Sequence, residues 1–367
     1  MYEPTEPRLP ALAFLWPAIV ATSASKTASA IARQFAALAL GPDGDRAANE
    51  PALATAHRTA LELRAVVLRD FSTAQTGVPV LICAPFALHG AAVADLAPEH
   101  SLVAALRNAG LQKLFLADWR SAGADMQFRG IDDYLADLNV LVDQLGGRVD
   151  LIGLCQGGWL SLLYAARFRD KVRKLVIAGA PIDVRAAQSG LSTLVDASPP
   201  QLFHELVQVG EGRVLGHKVA KFWAPLTAET PEVHQLLETT APIGSPAFAR
   251  LEAKFREWFA WTLDLPGTYY LEVVEKIYRD NALARGRFVA LGLTIKLREL
   301  TAPLFLLAAG EDELVAPPQL FAAARLVGTP PNQIRKETAP CRHLGLFMGR
   351  RVLNEYWPMV AHWLLAA

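Results

Sequence analysis

The sequence predicts an α/β fold, in which a mostly parallel sheet carries helices on both faces and a helical cap is inserted late in the chain. Three observations predict it. Short apolar runs alternate with segments of helical spacing from about 61 to 181, and the same pattern resumes at 302–366. The stretch between these parts lacks strand-like runs and is crowded with aromatic residues. Strands that alternate with helices imply right-handed crossovers and a parallel sheet.

The individual elements follow from apolar runs rich in Val, Ile and Leu, which are typical of strands buried on both faces. Strands are predicted at 61–68, 78–85, 114–119, 149–154 and 174–181, with helices at 101–110, 131–146 and 157–168 between them. After the aromatic stretch we expect a strand at 302–310, a helix near 317–327, a short strand near 333–338 and a closing helix at 350–366. Gly110 is placed to end the first helix.

The pattern divides the chain into an N-terminal segment, a core and an insertion. Residues 57–184 and 301–367 form the α/β core, and 185–300 form a helical cap over the active site. The alternative is an ordinary helical subdomain whose aromatic side chains fill its own interior. Residues 1–56 are interpreted as a helical segment followed by a turn-rich linker.

Within the N-terminal segment, residues 12–40 have the spacing of an amphipathic helix. Lys26 and Arg33 interrupt its apolar positions, and the apolar run is too short to span a bilayer. The helix could pack on the domain or form a dimer contact. A surface that meets a hydrophobic aggregate and an atypical secretory signal are the other interpretations.

Composition narrows the partners and the compartment. Lys and Arg together number 36, and Asp and Glu together also number 36, so the formal net charge is zero. The net charge of the chain therefore gives no attraction to nucleic acid. Hydrophobic residues make up 52% of the 367 residues, which is enough for a large buried core. The chain has three cysteines, a low and odd number that argues against a disulfide scaffold. This number favours a reducing cytoplasmic location. No C-x-x-C pair or histidine spacing predicts a metal site.

The most informative segment is LIGLCQGGWL at 151–160. A strand is predicted to end at Leu154 and a helix to start within two residues, which places Cys155 on the sharp turn between them. Gly153 and Gly157 flank it, giving the G-x-nucleophile-x-G pattern of the α/β-hydrolase elbow with cysteine in place of serine. The glycines are needed because a Cβ there would keep the strand and helix apart. The N-terminus of the helix favours the reactive thiolate.

An acid and a histidine should follow the nucleophile in that order. Asp312 lies two residues past the turn glycine that ends the 302–310 strand, so it is the candidate acid. Glu311 and Glu313 are interpreted as solvated turn charges. His343 follows one further strand and is the only one of eight histidines with the expected order and loop setting.

These residues predict covalent catalysis. His343 would take the proton of Cys155, and Asp312 would fix the tautomer of the imidazole and stabilise its charged form. The backbone N–H of Gln156 is placed to donate to an oxyanion. The resulting acyl group on sulfur could pass to water or to a hydroxyl, and these residues leave both outcomes open.

The same residues carry a resemblance to a known family. The chain resembles the polyhydroxyalkanoate synthases, enzymes that polymerise 3-hydroxyacyl-CoA, and is most similar to the shorter synthases that work with a partner subunit. The similarity extends over 78–366. Its motifs are Gly153 to Gly158 (GLCQGG), Pro181 with Asp183, Asp312 to Pro317 (DELVAP), Cys341 to Gly345 (CRHLG), Asp118-Trp119, Asp132-Asp133-Tyr134 and Ser101-Leu102-Val103.

The resemblance implies an acyltransferase that holds the growing chain as a thioester on Cys155. It implies a coenzyme A thioester as substrate with no further cofactor, a possible granule surface, and a homodimer or a partner subunit. Intracellular polyhydroxybutyrate depolymerases also use cysteine on this fold, so a cysteine-dependent hydrolase (depolymerase, thioesterase or esterase) is the alternative.

Three features differ from the family pattern: the segment at 88–96, Arg342, and Trp159, which adds bulk at a position that is often small. In the segment LHGAAVADL at 88–96, the His89-Gly90 pair is similar to the oxyanion loop of lipases, so Leu88 and His89 are candidate oxyanion or substrate-binding residues. Arg342 stands where the family has glycine. Its charge is expected to disfavour the imidazolium form of His343.

Overall fold

The computed structural model describes residues 50–223 and 230–366. The predicted amphipathic helix at 12–40 lies outside the described residues, as does nearly all of the predicted N-terminal segment 1–56.

An eight-stranded sheet forms the centre of the molecule. Its strands are β1 Arg58–Glu62, β2 Val66–Asp70, β3 Val80–Cys83, β4 Leu114–Trp119, β5 Val149–Leu154, β6 Val172–Ala178, β7 Leu304–Ala309 and β8 Ile334–Ala339. Their order across the sheet is β1-β2-β4-β3-β5-β6-β7-β8. β2 pairs antiparallel with both of its neighbours, β1 and β4. All the other neighbouring pairs in the sheet are parallel. The predicted α/β class with a mostly parallel sheet is confirmed.

Helices connect and cover the strands. They are α1 Leu102–Asn108, α2 Ile131–Gln144, α3 Gln156–Arg167, α4 Gly190–Ala197, α5 Pro200–Val209, α6 Gly216–Trp223, α7 Thr230–Leu237, α8 Pro246–Ala260, α9 Gly267–Glu272, α10 Pro317–Phe321, α11 Ala323–Leu326, α12 Gly345–Met348 and α13 Arg350–Leu365. A π-helix, Val273–Arg279, continues directly from α9. Six α-helices, α4 to α9, and this π-helix therefore lie between β6 and β7, in the region predicted as a cap. The proposed division into core and cap stays a prediction.

Local sequence explains several of these boundaries. The Ser101 hydroxyl accepts a hydrogen bond from the Ala104 amide and caps α1, and Gly110, with φ 104°, lies just past its end. Every residue of β4, β5 and β7 is buried, as expected of strands covered on both faces.

Three element predictions are wrong in detail. The single strand predicted at 61–68 is a hairpin of β1 and β2, because the Leu63 amide donates to the Val66 carbonyl oxygen at 2.9 Å and closes a tight turn without Gly or Pro. The helix predicted at 317–327 is divided into α10 and α11. The aromatic stretch also holds short strand pairs, Arg213–Val214 with Leu265–Pro266 and Val289–Ala290 with Leu293–Thr294.

Among the helices in the part of the chain that the structure describes, none is both long and apolar enough to cross a membrane.

Candidate active site

Cys155 occupies the bend between β5 and α3. Its backbone has φ 50° and ψ −120°, a left-handed conformation that side chains rarely adopt. The amide of Cys155 donates to the carbonyl oxygen of Ala178, at the end of the neighbouring strand β6, at 2.8 Å. The sheet therefore holds the strained bend and presents the sulfur at the carboxyl edge of the parallel strands.

The flanking glycines allow this bend. A Cβ atom on Gly153 would lie 2.5 Å from the Cα of Gly158, and one on Gly157 would overlap the carbonyl oxygen of Cys83. Both contacts are with backbone atoms, which cannot move aside as a flexible side chain could. The glycines of the G-x-C-x-G pattern are thus required by the close approach of β5, α3 and β3.

Asp312 lies in the loop after β7. Its Oδ1 atom accepts hydrogen bonds from the amides of Leu314 and Val315 at 2.9 and 2.8 Å. The Gly310 amide, at the start of the loop, donates to the Ala339 carbonyl oxygen of β8 at 2.7 Å. These bonds fix the carboxylate and leave its Oδ2 atom for another partner.

That partner is His343, which lies in the loop after β8 and is 2% exposed. Its Nδ1 atom lies 2.8 Å from Asp312 Oδ2, and its Nε2 atom lies 3.3 Å from Cys155 Sγ. Since a carboxylate accepts, Nδ1 carries the hydrogen. The three residues selected from the sequence therefore lie in one hydrogen-bonded succession, from loops after β5, β7 and β8.

The charge state of His343 reflects two opposed effects. Burial disfavours the imidazolium, but the Asp312 carboxylate and the Cys155 thiolate outweigh it and raise the pKa of His343 well above its usual value near 6.5. The arrangement therefore favours the charged form of His343.

One sequence interpretation beside the histidine is wrong. Glu313 is not a solvated turn charge: its Oε1 lies 3.4 Å from Arg342 Nη2, and its Oε2 accepts from the His343 amide at 3.2 Å. The expected effect of Arg342 on the imidazolium stays a prediction, since the raised pKa of His343 is due to Asp312 and Cys155. Glu311 is exposed, as expected of a turn charge.

A cavity of about 230 Å³ opens around the sulfur. Its lining contains Cys155 and His343 and all three further candidates, Gln156, Leu88 and His89. Most of the remaining lining is apolar and comes from the helices between β6 and β7, including Leu191, Leu194, Val195, Phe203, Trp258 and Phe259. Such a cavity suits an apolar ligand with few polar groups.

The Leu88-His89 segment is tied to the end of α8. The Leu88 carbonyl oxygen accepts from the Leu263 amide at 2.9 Å, and His89 Nδ1 lies 3.1 Å from the Trp261 carbonyl oxygen. Burial lowers the pKa of His89 to about 4, against the opposing effect of the Trp261 carbonyl. His89 is therefore neutral at neutral pH, unlike His343 in the same cavity.

Tyr278 is a polar residue of the cavity that sequence reasoning did not select. Its hydroxyl is buried and has no hydrogen-bond partner among the described residues, and the same holds for Gln156 Oε1. Burial and the nearby Cys155 charge raise the pKa of Tyr278, so the hydroxyl keeps its proton and can donate. Tyr278 lies on the π-helix Val273–Arg279, and such helices are frequent at functional sites. A π-helix has no signal that the sequence periodicity could have shown.

The family comparison agrees with this architecture. Residues 88–349 match the model of the α/β-hydrolase fold family. The chain belongs to the α/β-hydrolase fold family. A solved member with a similar structure is the monoacylglycerol lipase of Paleococcus ferrophilus, with a TM-score of 0.51 over 82% of this chain and 98% of that chain. At 17% identity, this likeness shows the α/β-hydrolase fold alone.

Curated relatives of this α/β-hydrolase chain share a name. It is 27% identical to the poly(3-hydroxyalkanoate) polymerase subunit PhaC of Synechocystis, over 83% of this chain and 82% of the relative. It is 25% identical to the protein of the same name from Allochromatium vinosum, over 74% of this chain and 76% of the relative. The predicted resemblance to the polyhydroxyalkanoate synthases is confirmed as a similarity to these proteins.

Within the described residues, no group of three or more His, Cys, Asp or Glu side chains has the arrangement needed to hold a metal ion.

Proposed function

We propose that this protein is a polyhydroxyalkanoate synthase-like acyltransferase in which Cys155 is the nucleophile, His343 the acid–base residue and Asp312 the residue that orients it. The observation that carries the proposal is the succession from Cys155 Sγ to His343 Nε2 to Asp312 Oδ2 in a mostly apolar cavity. The shared name of the curated relatives supports the choice of substrate.

In the first step, the Cys155 thiolate attacks the carbonyl carbon of a hydroxyacyl-CoA thioester. The oxygen becomes an oxyanion, which the backbone N–H of Gln156 stabilises from the start of α3. The bond from carbon to the CoA sulfur then breaks, and the departing CoA thiolate takes the proton of the His343 imidazolium. An acyl thioester remains on Cys155, and His343 is neutral.

In the second step, the hydroxyl of another hydroxyacyl unit attacks the acyl thioester. Neutral His343 accepts the hydroxyl proton as the new oxygen–carbon bond forms, and the Cys155 thiolate leaves. The thiolate–imidazolium pair is restored, so the cycle closes with protein groups alone and needs no cofactor beyond the CoA of its substrate. The apolar lining favours a hydroxyl acceptor held in the cavity over bulk water.

The relatives' name also suggests a setting. Because those proteins are named polymerase subunits, we propose that this chain works as a homodimer or with a second subunit. An apolar polyester product would bring the protein to the surface of a cytoplasmic granule.

The deciding experiment incubates the purified full chain with 3-hydroxybutyryl-CoA and measures released CoA, polymer turbidity and free acid in parallel. The proposal expects stoichiometric acylation of Cys155 in the intact-protein mass, followed by CoA release with polymer. CoA release with free acid would indicate a thioesterase. Release of monomers from added polyester, with no CoA release, would indicate a depolymerase.

A further inference from the structure

His89 is the second imidazole of the active-site cavity, and the mechanism above does not use it. Its ring contacts the ring of Trp258, at 4.5 Å between centroids, and that of Phe259, at 4.9 Å. Both aromatic residues also line the cavity around Cys155. The imidazole is therefore held against two aromatic rings at the wall of the substrate cavity, in the loop after β3.

The hydrogen bonds of His89 determine its tautomer. Nδ1 contacts the Trp261 carbonyl oxygen at 3.1 Å, and a carbonyl oxygen can only accept, so Nδ1 carries the hydrogen. Nε2 is then an acceptor with a lone pair. In the part of the chain that the structure describes, no group donates a hydrogen bond to Nε2. The low pKa that burial gives this ring keeps Nε2 unprotonated at neutral pH.

We propose that His89 is a specificity-determining residue whose Nε2 atom accepts a hydrogen bond from the hydroxyl of a hydroxyacyl thioester. The inference rests on the proposed function and identifies the substrate hydroxyl as the group that this cavity recognises. It concerns recognition of the hydroxyl, whereas His343 moves the protons of the reaction.

The surroundings of Nε2 select the class of donor. A neutral imidazole nitrogen in a mostly apolar lining can accept a hydrogen bond from a neutral hydroxyl without the cost of burying a charge. A neutral hydroxyl on a short acyl chain has the donor that Nε2 lacks, and its hydrocarbon part suits the remaining lining. A site that hydrogen-bonds a substrate hydroxyl discriminates strongly against the analogue without it, because its own polar group is then left unpaired.

Two substitutions separate this role from a structural one. In His89→Asn, the side-chain amide can reach the position of Nδ1 and keep the hydrogen bond to Trp261, but nothing replaces Nε2. In His89→Gln, the longer side chain places an amide oxygen near the position of Nε2, so an acceptor is retained while the bond to Trp261 is lost. A residue that only anchors the loop would tolerate Asn better than Gln, whereas a hydroxyl-binding residue would show the opposite.

The test measures binding in the Cys155→Ala background, where no acyl transfer disturbs the equilibrium. Titration calorimetry of the full chain compares 3-hydroxybutyryl-CoA with butyryl-CoA, which differs only in lacking the hydroxyl. We expect tighter binding of the hydroxylated thioester by about tenfold, the size of one buried hydrogen bond. His89→Asn should bring the affinity ratio close to one, and His89→Gln should retain most of the preference.

Each outcome bears on the proposal. A ratio near one in the parent protein, no binding of either thioester, or a preference unchanged by His89→Asn would each overturn the role of His89. A hydroxyl preference that depends on His89, found in a protein whose native Cys155 is never acylated, would support His89 and refute the proposed function. Acylation of Cys155 without any His89-dependent preference would support the proposed function and refute the role of His89.

Discussion

The cavity around Cys155 has one wall from the central sheet and a second wall from the helices between β6 and β7. On the sheet wall, the polar groups of Cys155, His343 and Asp312 are bonded to one another and to fixed backbone amides. On the helical wall, the hydroxyl of Tyr278 is buried without a partner in the described protein. The comparison indicates that the sheet wall holds three candidate catalytic residues in one hydrogen-bonded succession, whereas the helical wall carries a buried hydroxyl that only a ligand could satisfy.

This difference has a physical basis. The loops after parallel strands converge at one edge of the sheet, so chemistry placed there is held by many backbone hydrogen bonds. The helical wall packs mainly through apolar side chains, which leaves room for polar atoms that only a ligand would satisfy. Substitutions on the sheet wall should therefore reduce the rate of acyl transfer, and substitutions on the helical wall should weaken the affinity for the substrate.

The largest effect is expected for Cys155→Ala. Loss of the nucleophile should reduce acyl transfer by at least about 10⁴-fold, while circular dichroism and the melting temperature stay close to those of the parent protein. Cys341→Ala is the matched control, because burial raises the pKa of that thiol to about 12 and keeps it unreactive. Substantial transfer by Cys155→Ala would show that another group is the nucleophile.

The second-largest effect is expected for Asp312→Asn, which should reduce the rate of acyl transfer about 10³- to 10⁴-fold. This is the size seen when an orienting aspartate is replaced in a related catalytic arrangement. Because the carboxylate helps to raise the pKa of His343, its removal should lower that pKa. The imidazolium is then lost at lower pH, so the alkaline limb of kcat/KM should move toward lower pH. Glu311→Gln, an exposed neighbour, is the control. If the alkaline limb does not move, Asp312 does not control the pKa of His343.

The elements of the sheet wall were accessible from the sequence because they depend on local patterns. Buried strands, the glycines of the elbow and the order of acid and histidine can be read from residue spacing, and the structure brings Cys155, Asp312 and His343 together. Glu313 was misjudged because its pairing with Arg342 depends on how two loops, after β7 and β8, meet in space. Tyr278 was missed because an unpartnered hydroxyl becomes visible only once its neighbours are known.

Tyr278→Phe tests the helical wall. Removing a buried hydroxyl without a partner should raise the free energy of unfolding by up to about 1 kcal/mol. If that hydroxyl serves a ligand, the dissociation constant of 3-hydroxybutyryl-CoA, measured in the Cys155→Ala background, should rise about tenfold. The two measurements are chemical denaturation and calorimetry.

Tyr164→Phe is the matched control, because the Tyr164 hydroxyl donates to Asn139 Oδ1 at 3.2 Å and lies outside the cavity lining. This variant should lose stability and keep its affinity. If Tyr278→Phe also lost stability with unchanged affinity, the two walls would not differ in the way described.

The smallest effect is expected for Glu313→Gln, which leaves the Arg342 charge without its carboxylate beside the imidazolium. The pKa of His343 should fall, and kcat/KM on the alkaline side should decrease about fivefold, the equivalent of about 1 kcal/mol for a partly exposed ion pair. The alkaline limb should move to lower pH, in the same direction as for Asp312→Asn but by less.

Glu313 has a second contact, since its Oε2 accepts from the His343 amide at 3.2 Å, and the double variant Glu313→Gln/Arg342→Gln separates the two. If Glu313 acts by neutralising the guanidinium, removing both charges should restore most of the rate and return the alkaline limb toward its original position. A double variant as impaired as Glu313→Gln alone would show that the carboxylate acts by holding the His343 backbone. In that case the sheet wall would depend on loop geometry more than on charge balance.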